Sequence, residues 1–363
     1  MQTESTQNSP EPSHTANRKR NQKLARFGIL FALLGLLLFA YFVRKAGVTH
    51  IIDGIKRLGF GFILILAISA MRQVVRSLAW TKCFEAPYVI RFRDAFAARI
   101  MGDSLGNIIP LASVAIAEPS KAAFVSHRVP LIAGLSAIAL ENIFYSLSVA
   151  LFIFSGTAAL LLSFFLPKPL RYASVGALIA TVVIVPLGYL VIRKQWKFLS
   201  GPMGLLHRRG IARGWMEKTI PRAQTLEGRI YGFYSRNRSR LLFIFFLELC
   251  FHFTGVLEIY TTLWFISPIA PTLLTAFILE SVNRVINVVF KFVPLRTGVD
   301  EAGTGMLAKV LGFTTAIGVT LAIVRKARDL SWTAIGVALI VRRGLSLKNL
   351  SQPAQVDLVE AEK

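Results

Sequence analysis

The chain of 363 residues carries 42 lysines and arginines against 19 aspartates and glutamates, and 54% of its residues are hydrophobic. The apolar residues fall in long runs rather than in the alternating or amphipathic patterns of a soluble core, which excludes a soluble globular fold and predicts an all-α integral membrane protein. The net charge of +23 lies mostly in tails and loops between those runs. The positive-inside bias and contact with anionic lipid explain it, so no nucleic-acid partner is expected.

The N-terminal part predicts a tail and two spans. Residues 1–26 are polar and basic and predict a disordered cytoplasmic tail. The apolar run 27–43 is the first predicted span, and because no small-residue cleavage site follows it, we expect an uncleaved anchor. The second span, 58–80, carries Arg72 and Arg76 on one helical face. A charge at the bilayer centre costs about 2.5–3.5 kcal/mol, so this face must contact protein or water rather than lipid.

The segment 91–128 is too polar for a simple span and too apolar for a loop. Gly102 and Pro110 interrupt any helix that forms there. A broken or re-entrant hairpin fits best, because non-helical backbone at membrane depth is tolerated only inside protein or beside a wet cavity. The segment contains Glu118 and Lys121, which we predict to contact substrate.

The next two runs are more strongly apolar. Glu141 lies near the start of the run 131–166. A single helix over the whole run would be about 54 Å long, which exceeds the bilayer. We therefore expect one span, 131–154, with a short appendage, and two spans are the alternative. The fourth predicted span is 172–192.

The basic segment 193–240 is predicted to be cytoplasmic, either as amphipathic helices on anionic lipid or as a solvated loop. The fifth span, 241–266, contains Glu248, His252 and Glu258. Glu248 and His252 lie one helical turn apart and could both ligate a metal, but a site needs three or four ligands. We expect no metal and no cofactor.

The sixth run, 272–292, is predicted to place four polar side chains within about 60° of one helical face. These four are Glu280, Arg284, Asn287 and Lys291. Such a stripe within a membrane indicates a functional site, since its members must face partners or water. A second Pro/Gly-rich broken segment, 293–312, follows and contains Asp300 and Glu301.

Two short spans, 313–324 and 330–341, complete the prediction of about eight transmembrane helices, and Arg325 is expected to reach an interface. The membrane domain would thus cover 27–342, and 343–363 would form a short cytoplasmic tail. With eight spans, both termini and the basic segment lie on the cytoplasmic side of an inner (plasma) membrane. The charge bias agrees with this parity.

The two broken segments form a predicted internal repeat. In the first, Pro110-Leu111 is followed by Glu118 and Glu141, and in the second, Pro294-Leu295 is followed by Glu301 and Arg325. Transporters commonly consist of two such halves, with substrate held at interrupted helices. Four spans between the segments would make the halves parallel, whereas two spans within 131–166 would make them inverted.

The repeat predicts a two-part site. Its first half would consist of Arg72, Arg76, Pro110 and Glu118. Its second half would consist of Arg284, Lys291, Pro294 and Glu301. If the prediction is right, the two halves lie beside each other in the folded chain.

These motifs resemble a known family. They are Arg72, Arg76 and Trp80, the stretch GDSLGNIIPLASVAIAEPSKA, Glu141, Glu258, the stretch VPLRTGVDEAG, and Arg325. As a set they resemble the flippase-like transmembrane region of lysylphosphatidylglycerol synthases and their free-standing homologues, over residues 58–341. The resemblance implies an eight-helix inner-membrane domain that handles lipids or lipid-linked molecules with polar heads.

The sequence departs from that family pattern at two places. Ala117-Glu118-Pro119 stands where the family has Gly-Glu and a basic residue, and Asn142 and Tyr145 replace charged residues of the third span. These departures bear on which substrate or coupling ion the chain uses. No soluble aminoacyl-transferase domain follows the last span, so lysyl-lipid synthesis is not expected.

Twelve side chains make up the predicted substrate-binding set. They are Arg72, Arg76, Glu118, Lys121, Glu141, Glu280, Arg284, Asn287, Lys291, Asp300, Glu301 and Arg325. The cations would form a path for a phosphate headgroup, and structural ion pairing is the alternative. The acids would carry protons or balance the cations, and helix capping is the alternative for them.

The prediction is translocation of a lipid or lipid-linked molecule with a polar, anionic headgroup, so membrane lipids are the expected partners. No catalytic triad or nucleotide motif is visible, and we do not expect an enzyme. Two alternatives stay open at this point. One is a membrane-embedded transferase that modifies a lipid head, and the other is a scaffold for a lipid-modifying enzyme.

Overall fold

The computed structural model describes residues 48–108, 113–210, 213–291, 293 and 296–343, together with Tyr41 and Arg44. Within these residues the chain forms twelve helices and no strand. The helices are α1 Val48–Leu58, α2 Gly61–Lys82, α3 Phe92–Ile108, α4 Ser113–Phe124, α5 Leu131–Ser163, α6 Lys168–Arg193, α7 Ser200–Arg208, α8 Arg213–Arg236, α9 Arg238–Ile266, α10 Leu273–Val289, α11 Val299–Val310 and α12 Thr315–Arg342. The predicted first span apart from Tyr41, both predicted tails apart from Arg343, and both Pro-Leu pairs lie outside the described residues.

In the part of the chain that the structure describes, four helices are long and apolar enough to cross a membrane: α2, α5, α6 and, from Ser239, α9. They correspond to the second, third, fourth and fifth predicted spans. The most apolar part of α6 has no buried residue. A long helix with apolar side chains exposed all round is suited to contact with lipid tails, so α6 fits the lipid-facing side of the bundle.

The run 131–166 forms the single helix α5, which agrees with the expected single span and not with two spans. The helix has no separate appendage. That part of the prediction was wrong. Residues 155–163 continue the helix because they are mostly Ala, Leu, Ser and Thr, without proline, and Gly156 packs directly against Ser281 of α10. The helix ends at Ser163, where Phe164 adopts an extended backbone ahead of Pro167.

The predicted seventh and eighth spans are one helix, α12, so the prediction of two short spans was wrong. Residues 325–329 contain neither glycine nor proline, and nothing in them breaks a helix. Their charged side chains pair with acidic residues of neighbouring helices instead of reaching an interface. The pairs are Arg325 with Asp300, Lys326 with Glu301, and Arg328 with Glu258.

The basic segment 193–240 contains two helices, α7 and α8, rather than a solvated loop. A buried carboxylate holds them together. Glu227 of α8 accepts hydrogen bonds at the start of α7 from Leu199 N at 2.7 Å, Ser200 N at 3.2 Å and Ser200 Oγ at 2.6 Å. These donors are the backbone groups that a helix N-terminus leaves unpaired. Contact of this segment with anionic lipid stays a prediction.

The two large apolar clusters formed by the described residues have a charged layer between them. The Trp80 cluster contains the end of α2 and the starts of α5 and α9. The Leu263 cluster contains the start of α2 and the ends of α5 and α9. Polar side chains buried in the middle of these helices therefore lie between the two clusters, at about half the depth of the bundle.

Two sets of four helices, α2–α5 and α9–α12, have corresponding architectures. Helices α3 and α10 each have 17 residues, and α4 and α11 each have 12. Each set consists of a long helix, a broken hairpin and a second long helix. Between the sets, α3 packs against α12, α10 packs against α5, and α2 packs against α9. This reciprocal packing is the pattern expected of an internal repeat.

The two sets run in opposite directions through the bundle. Helices α3 and α4 belong to the Trp80 cluster, whereas α10 and α11 belong to the Leu263 cluster. Helix α2 runs toward the Trp80 cluster, and α9 runs away from it. Of the two alternatives, the inverted arrangement is observed. The parallel one treats 272–292 as a separate span, whereas α10, with 17 residues, is shorter than the four candidate spans and belongs to the Leu263 cluster alone.

Candidate functional site

Two buried arginines, Arg72 and Arg284, and the half-buried Arg76 lie around one phenylalanine ring where α2 meets α9. Arg72 and Arg76 lie one turn apart near the middle of α2, and Phe251 lies at the middle of α9. The Phe251 ring centroid is 4.5 Å from the Arg72 guanidinium carbon, 5.1 Å from that of Arg284 and 5.4 Å from that of Arg76. These distances are in the range of cation–π contacts. The ring therefore joins cations from both halves of the repeat.

Arg72 links the two halves by ion pairs. Its Nη1 lies 3.0 Å from Glu258 Oε2 on α9, and its Nη2 lies 3.4 Å from Glu280 Oε1 on α10. Both carboxylates have a second cation, because Glu280 also binds Arg284 and Glu258 also binds Arg328. Each of these side chains is at most 11% exposed. Charges this deeply buried are stable only when paired, so each depends on its partners.

A glycine makes room for one of these carboxylates. A Cβ added to Gly255 of α9 would collide with the Glu280 carboxyl group and come within 3.4 Å of the Arg72 guanidinium carbon. Any larger side chain would displace Glu280 from its arginines. The sequence at this position is therefore fixed by the ion pairs and not by the backbone conformation.

Arg76 binds a second group of acids. Its Nη2 and Nε lie 2.7 Å and 2.9 Å from Glu141 Oε1 on α5. The same carboxylate accepts a bond from Arg99 Nη2 of α3 at 3.0 Å. Glu248 of α9 lies farther away, with its Oε2 3.7 Å from Arg76 Nε. The Tyr145 ring covers the Arg76 guanidinium at 4.0 Å.

The first hairpin holds a buried lysine. Lys121 Nζ lies 2.7 Å from Asp103 Oδ1 of α3 and 2.9 Å from Glu118 Oε1 on its own helix. Glu118 also accepts a bond from Asn142 Nδ2 of α5 at 3.0 Å. Its side chain is 26% exposed. Glu118 thus connects the hairpin to α5 beside Glu141, while part of it stays accessible.

The second hairpin holds a fully buried glutamate with a capping role. Glu301 Oε2 accepts a hydrogen bond from Gly298 N at 2.7 Å, at the start of α11, and its other oxygen binds Lys326 of α12. Gly298 has φ +85°, a left-handed conformation that favours glycine. Arg325 donates to Thr304 Oγ1 at 2.8 Å and lies 3.8 Å from Asp300. Glu301 and Asp300 therefore fix α11 against α12.

The structure brings part of the predicted set together and separates the rest. Five of its members join directly or through one shared residue: Arg72, Arg76, Glu141, Glu280 and Arg284. Lys291 does not lie on the predicted stripe, because α10 ends at Val289 and the Lys291 side chain is exposed. Asn287 is half-buried, and its Oδ1 has no hydrogen-bond partner among the described residues.

Several members of the charged network, which consists of the buried and ion-paired side chains described above, lie outside the predicted set. They are Arg99, Glu248, Phe251, Glu258, Lys326 and Arg328. Arg99 lies in the first predicted broken segment, and Arg328 lies between the two short predicted spans. The sequence did contain a signal for two of them. Glu248 and Glu258 are charged residues inside a predicted span, and the cost of a charge in the bilayer, which selected Arg72, applies equally to them.

The network suits exchange of charged partners rather than metal binding. Among the described residues, no group of three or more histidine, cysteine, aspartate or glutamate side chains is placed to hold a metal ion. His252, considered with Glu248 as a ligand pair, instead lies 3.1 Å from Ser148 Oγ through its Nε2. The arginines present planar pairs of N–H donors, which match a phosphate or carboxylate. An incoming anion could replace the protein carboxylates on them.

The chain matches one family model. This model, described as the lysylphosphatidylglycerol synthase TM region, matches residues 26–336. No curated protein and no solved structure matches the chain. The matched region includes every residue of the charged network described above.

Proposed function

Because the chain belongs to the lysylphosphatidylglycerol synthase transmembrane family, we propose that it translocates a lipid or lipid-linked molecule with an anionic headgroup across the membrane. Membership supports a role at membrane lipids. The network supports the specific activity, because its arginines lie at half the depth of the bundle and their paired N–H donors match a phosphate. The observation that carries the proposal is the trio of arginines around Phe251 at the meeting of the two halves.

The inverted halves supply a route for the headgroup. In transporters built from inverted repeats, substrate binds between the halves near the midplane, and the halves rock about that site. In our proposal α3–α4 and α10–α11 are re-entrant hairpins that open toward opposite faces of an inner membrane. The termini and the basic segment lie on its cytoplasmic face.

Partner exchange explains how a polar headgroup passes an apolar core. Arg72 and Arg284 share Glu280. When a phosphate binds one of these arginines, Glu280 stays paired with the other. The total number of ion pairs stays nearly constant while the headgroup moves. This lowers the cost of desolvating the headgroup, which would be several kcal/mol for an unpaired charge.

A headgroup-accessibility assay tests the proposal. Purified protein is reconstituted in vesicles with labelled anionic, aminoacylated, glycosylated and hopanoid lipids, and the outward-facing fraction is followed by chemical reduction of the label. We expect the wild type and the exposed-surface control Arg91→Ala to equilibrate at least one anionic lipid, and Arg284→Ala to lose most of that rate. Unchanged distribution of every lipid, or wild-type transport by Arg284→Ala, would contradict the proposal.

The proposed activity neither forms nor breaks a covalent bond. Mass spectrometry of the vesicle lipids after the assay therefore tests it independently. We expect the lipid masses to be the same with and without protein, whereas a new headgroup mass would support a transferase instead.

A further inference from the structure

Glu248 is a buried carboxyl group that lacks the hydrogen bonds an ionised carboxylate needs. Its side chain is fully buried, and neither of its oxygens has a hydrogen-bond partner among the described residues. Its nearest cation is Arg76, at 3.7 Å. Arg76 is already engaged by Glu141 at 2.7 Å and 2.9 Å. Glu248 therefore receives little stabilisation for a negative charge.

Glu227 shows what such stabilisation looks like in the same chain. It is 4% exposed and accepts three hydrogen bonds, from Leu199 N, Ser200 N and Ser200 Oγ. Three such donors compensate an ionised carboxylate for the loss of water. Since Glu248 has none, an ionised Glu248 would be unstable there, and binding a proton removes the uncompensated charge.

The groups that face Glu248 assign the proton to it rather than to its neighbour. These groups come from the surrounding helices. They are Arg76 of α2, Cys83 at the end of α2, Arg99 of α3, Glu141 of α5 and, on the far side of Arg76, Tyr145 of α5. Arg76 and Arg99 both bind Glu141, which keeps that carboxylate ionised. Two adjacent carboxylates repel each other, so one of them takes up a proton. Once protonated, Glu248 has the neighbouring Glu141 carboxyl as its acceptor.

We propose that Glu248 is a proton-binding site that couples proton movement to translocation, with a proton as the ligand carried alongside the anionic headgroup. The coupling rests on the proposed function. When the headgroup takes Arg76, no cation is left for Glu248, so its O–H bond persists. When the headgroup leaves, Arg76 returns to Glu141 and again lies 3.7 Å from Glu248, so Glu248 holds its proton less tightly and exchanges it with water. Headgroup and proton thus move in the same direction.

Infrared spectroscopy tests proton binding without requiring transport. The protonated acid gives a carbonyl stretching band that shifts in heavy water and is distinct from carboxylate bands. We expect this band at neutral pH in the wild type and in the control Glu227→Gln, and its loss in Glu248→Gln. Absence of the band in the wild type, or its persistence in Glu248→Gln, would overturn the assignment.

The stability of Glu248→Gln provides a second check. Glutamine has nearly the shape of the protonated acid, so the variant should unfold at the same denaturant concentration as the wild type. A marked loss of stability would indicate that Arg76 depends on an ionised Glu248, which contradicts the proposal.

Imposed pH gradients test the coupling. In the vesicle assay, we expect wild type and Glu227→Gln to move the anionic lipid severalfold faster down a proton gradient than against it, and Glu248→Gln to show no dependence on the gradient. Equal wild-type rates in both directions would overturn the coupling. A wild type that moves no lipid would contradict the proposed function together with the coupling, whereas the infrared band would still support proton binding at Glu248.

Discussion

The two halves of the repeat share their architecture but contribute opposite charges to their common interface. The long helix α2 of the first half contributes Arg72 and Arg76, whereas the corresponding α9 of the second half contributes Glu248 and Glu258. Arg72 and Glu258 pair across the contact between α2 and α9. Arg76 finds its acid, Glu141, within its own half, whereas both acids of Arg72 belong to the other half. The halves therefore depend on each other for stability, and the pairs that join them are available for exchange with an anion.

The broken hairpins differ as well. Each has a glutamate on its short helix that binds a residue 24 or 25 positions later on the next long helix, Glu118 with Asn142 and Glu301 with Lys326. Glu118 keeps 26% of its side chain exposed, whereas Glu301 is fully buried and bonds to the backbone at the start of α11. We infer that the second hairpin is the more rigid of the two and that Glu118 is the more accessible acid.

Breaking the central ion pairs has the largest expected effect. Glu258→Ala leaves Arg72 with one weaker partner and Arg328 with Asp329. Loss of one member of a buried pair costs about 3–5 kcal/mol, so we expect the free energy of unfolding to fall by that amount. Reversible unfolding in detergent–denaturant mixtures measures it. The control is Arg236→Ala, which removes an exposed ion pair with Glu85 and should change stability little. Equal stability of the two variants would show that the halves are not held by Arg72 and Glu258.

The hairpin comparison predicts a smaller effect. Glu301→Ala removes the hydrogen bond to Gly298 N and leaves the mostly buried Lys326 without its acid. Glu118→Ala leaves Lys121 with Asp103. An unsatisfied buried group costs about 1–3 kcal/mol, so the first variant should be the less stable by that margin. If Glu118→Ala is the less stable in the same unfolding assay, the assignment of Glu301 as the structural glutamate is wrong.

Filling the space beside Glu280 should have a local effect on stability of about the same size as the hairpin substitutions. In Gly255→Ala the added Cβ displaces the Glu280 carboxyl, and we expect a loss of about 1–3 kcal/mol because overpacking forces the ion pair apart. Gly176→Ala is the matched control, since a Cβ at Gly176 in α6 would meet nothing within 4 Å. That substitution should be neutral or stabilise by about 0.5–1 kcal/mol through helix propensity. Thermal unfolding of both variants compares them, and a neutral Gly255→Ala would argue against tight packing around Glu280.

The smallest predicted effect concerns a position that departs from the family pattern. Tyr145 covers the Arg76 guanidinium, where the family has a charged residue. Tyr145→Phe keeps the ring, and Tyr145→Ala removes a partly exposed cation–π contact of about 1 kcal/mol. We expect the alanine variant to lose about that much unfolding free energy and the phenylalanine variant to lose little. Equal losses would assign the effect to the hydroxyl group rather than to the ring.

Local rules predicted those parts of the molecule that depend on nearby residues. Composition alone located α2, α5, α6 and α9, and the cost of burying charge selected Arg72, Arg76 and Arg284. Such rules did not predict the end of α10. Lys291 was predicted to lie on the polar stripe, but α10 ends at Val289 and does not include it. The prediction that Arg325 reaches an interface was wrong because its acidic partner, Asp300, lies on another helix.

Such rules could not predict which residues pair between segments that are far apart in the sequence. Arg72 and Glu258 are 186 residues apart, and no local spacing connects them. The inverted order of the halves was likewise left open, because it depends on whether α10 is a span or the arm of a hairpin. Only the membership of each helix in one of the two apolar clusters decides that.

The central claim, that the arginines around Phe251 bind an anionic headgroup, is tested most directly by native mass spectrometry of the protein with competing lipids. An anionic and a zwitterionic lipid with the same acyl chains are supplied in equal amounts to the wild type, Arg284→Ala and the control Arg91→Ala. We predict that the wild type and Arg91→Ala retain the anionic lipid in preference and that Arg284→Ala loses the preference. Equal retention of the two lipids by the wild type, or an unchanged preference in Arg284→Ala, would contradict the account.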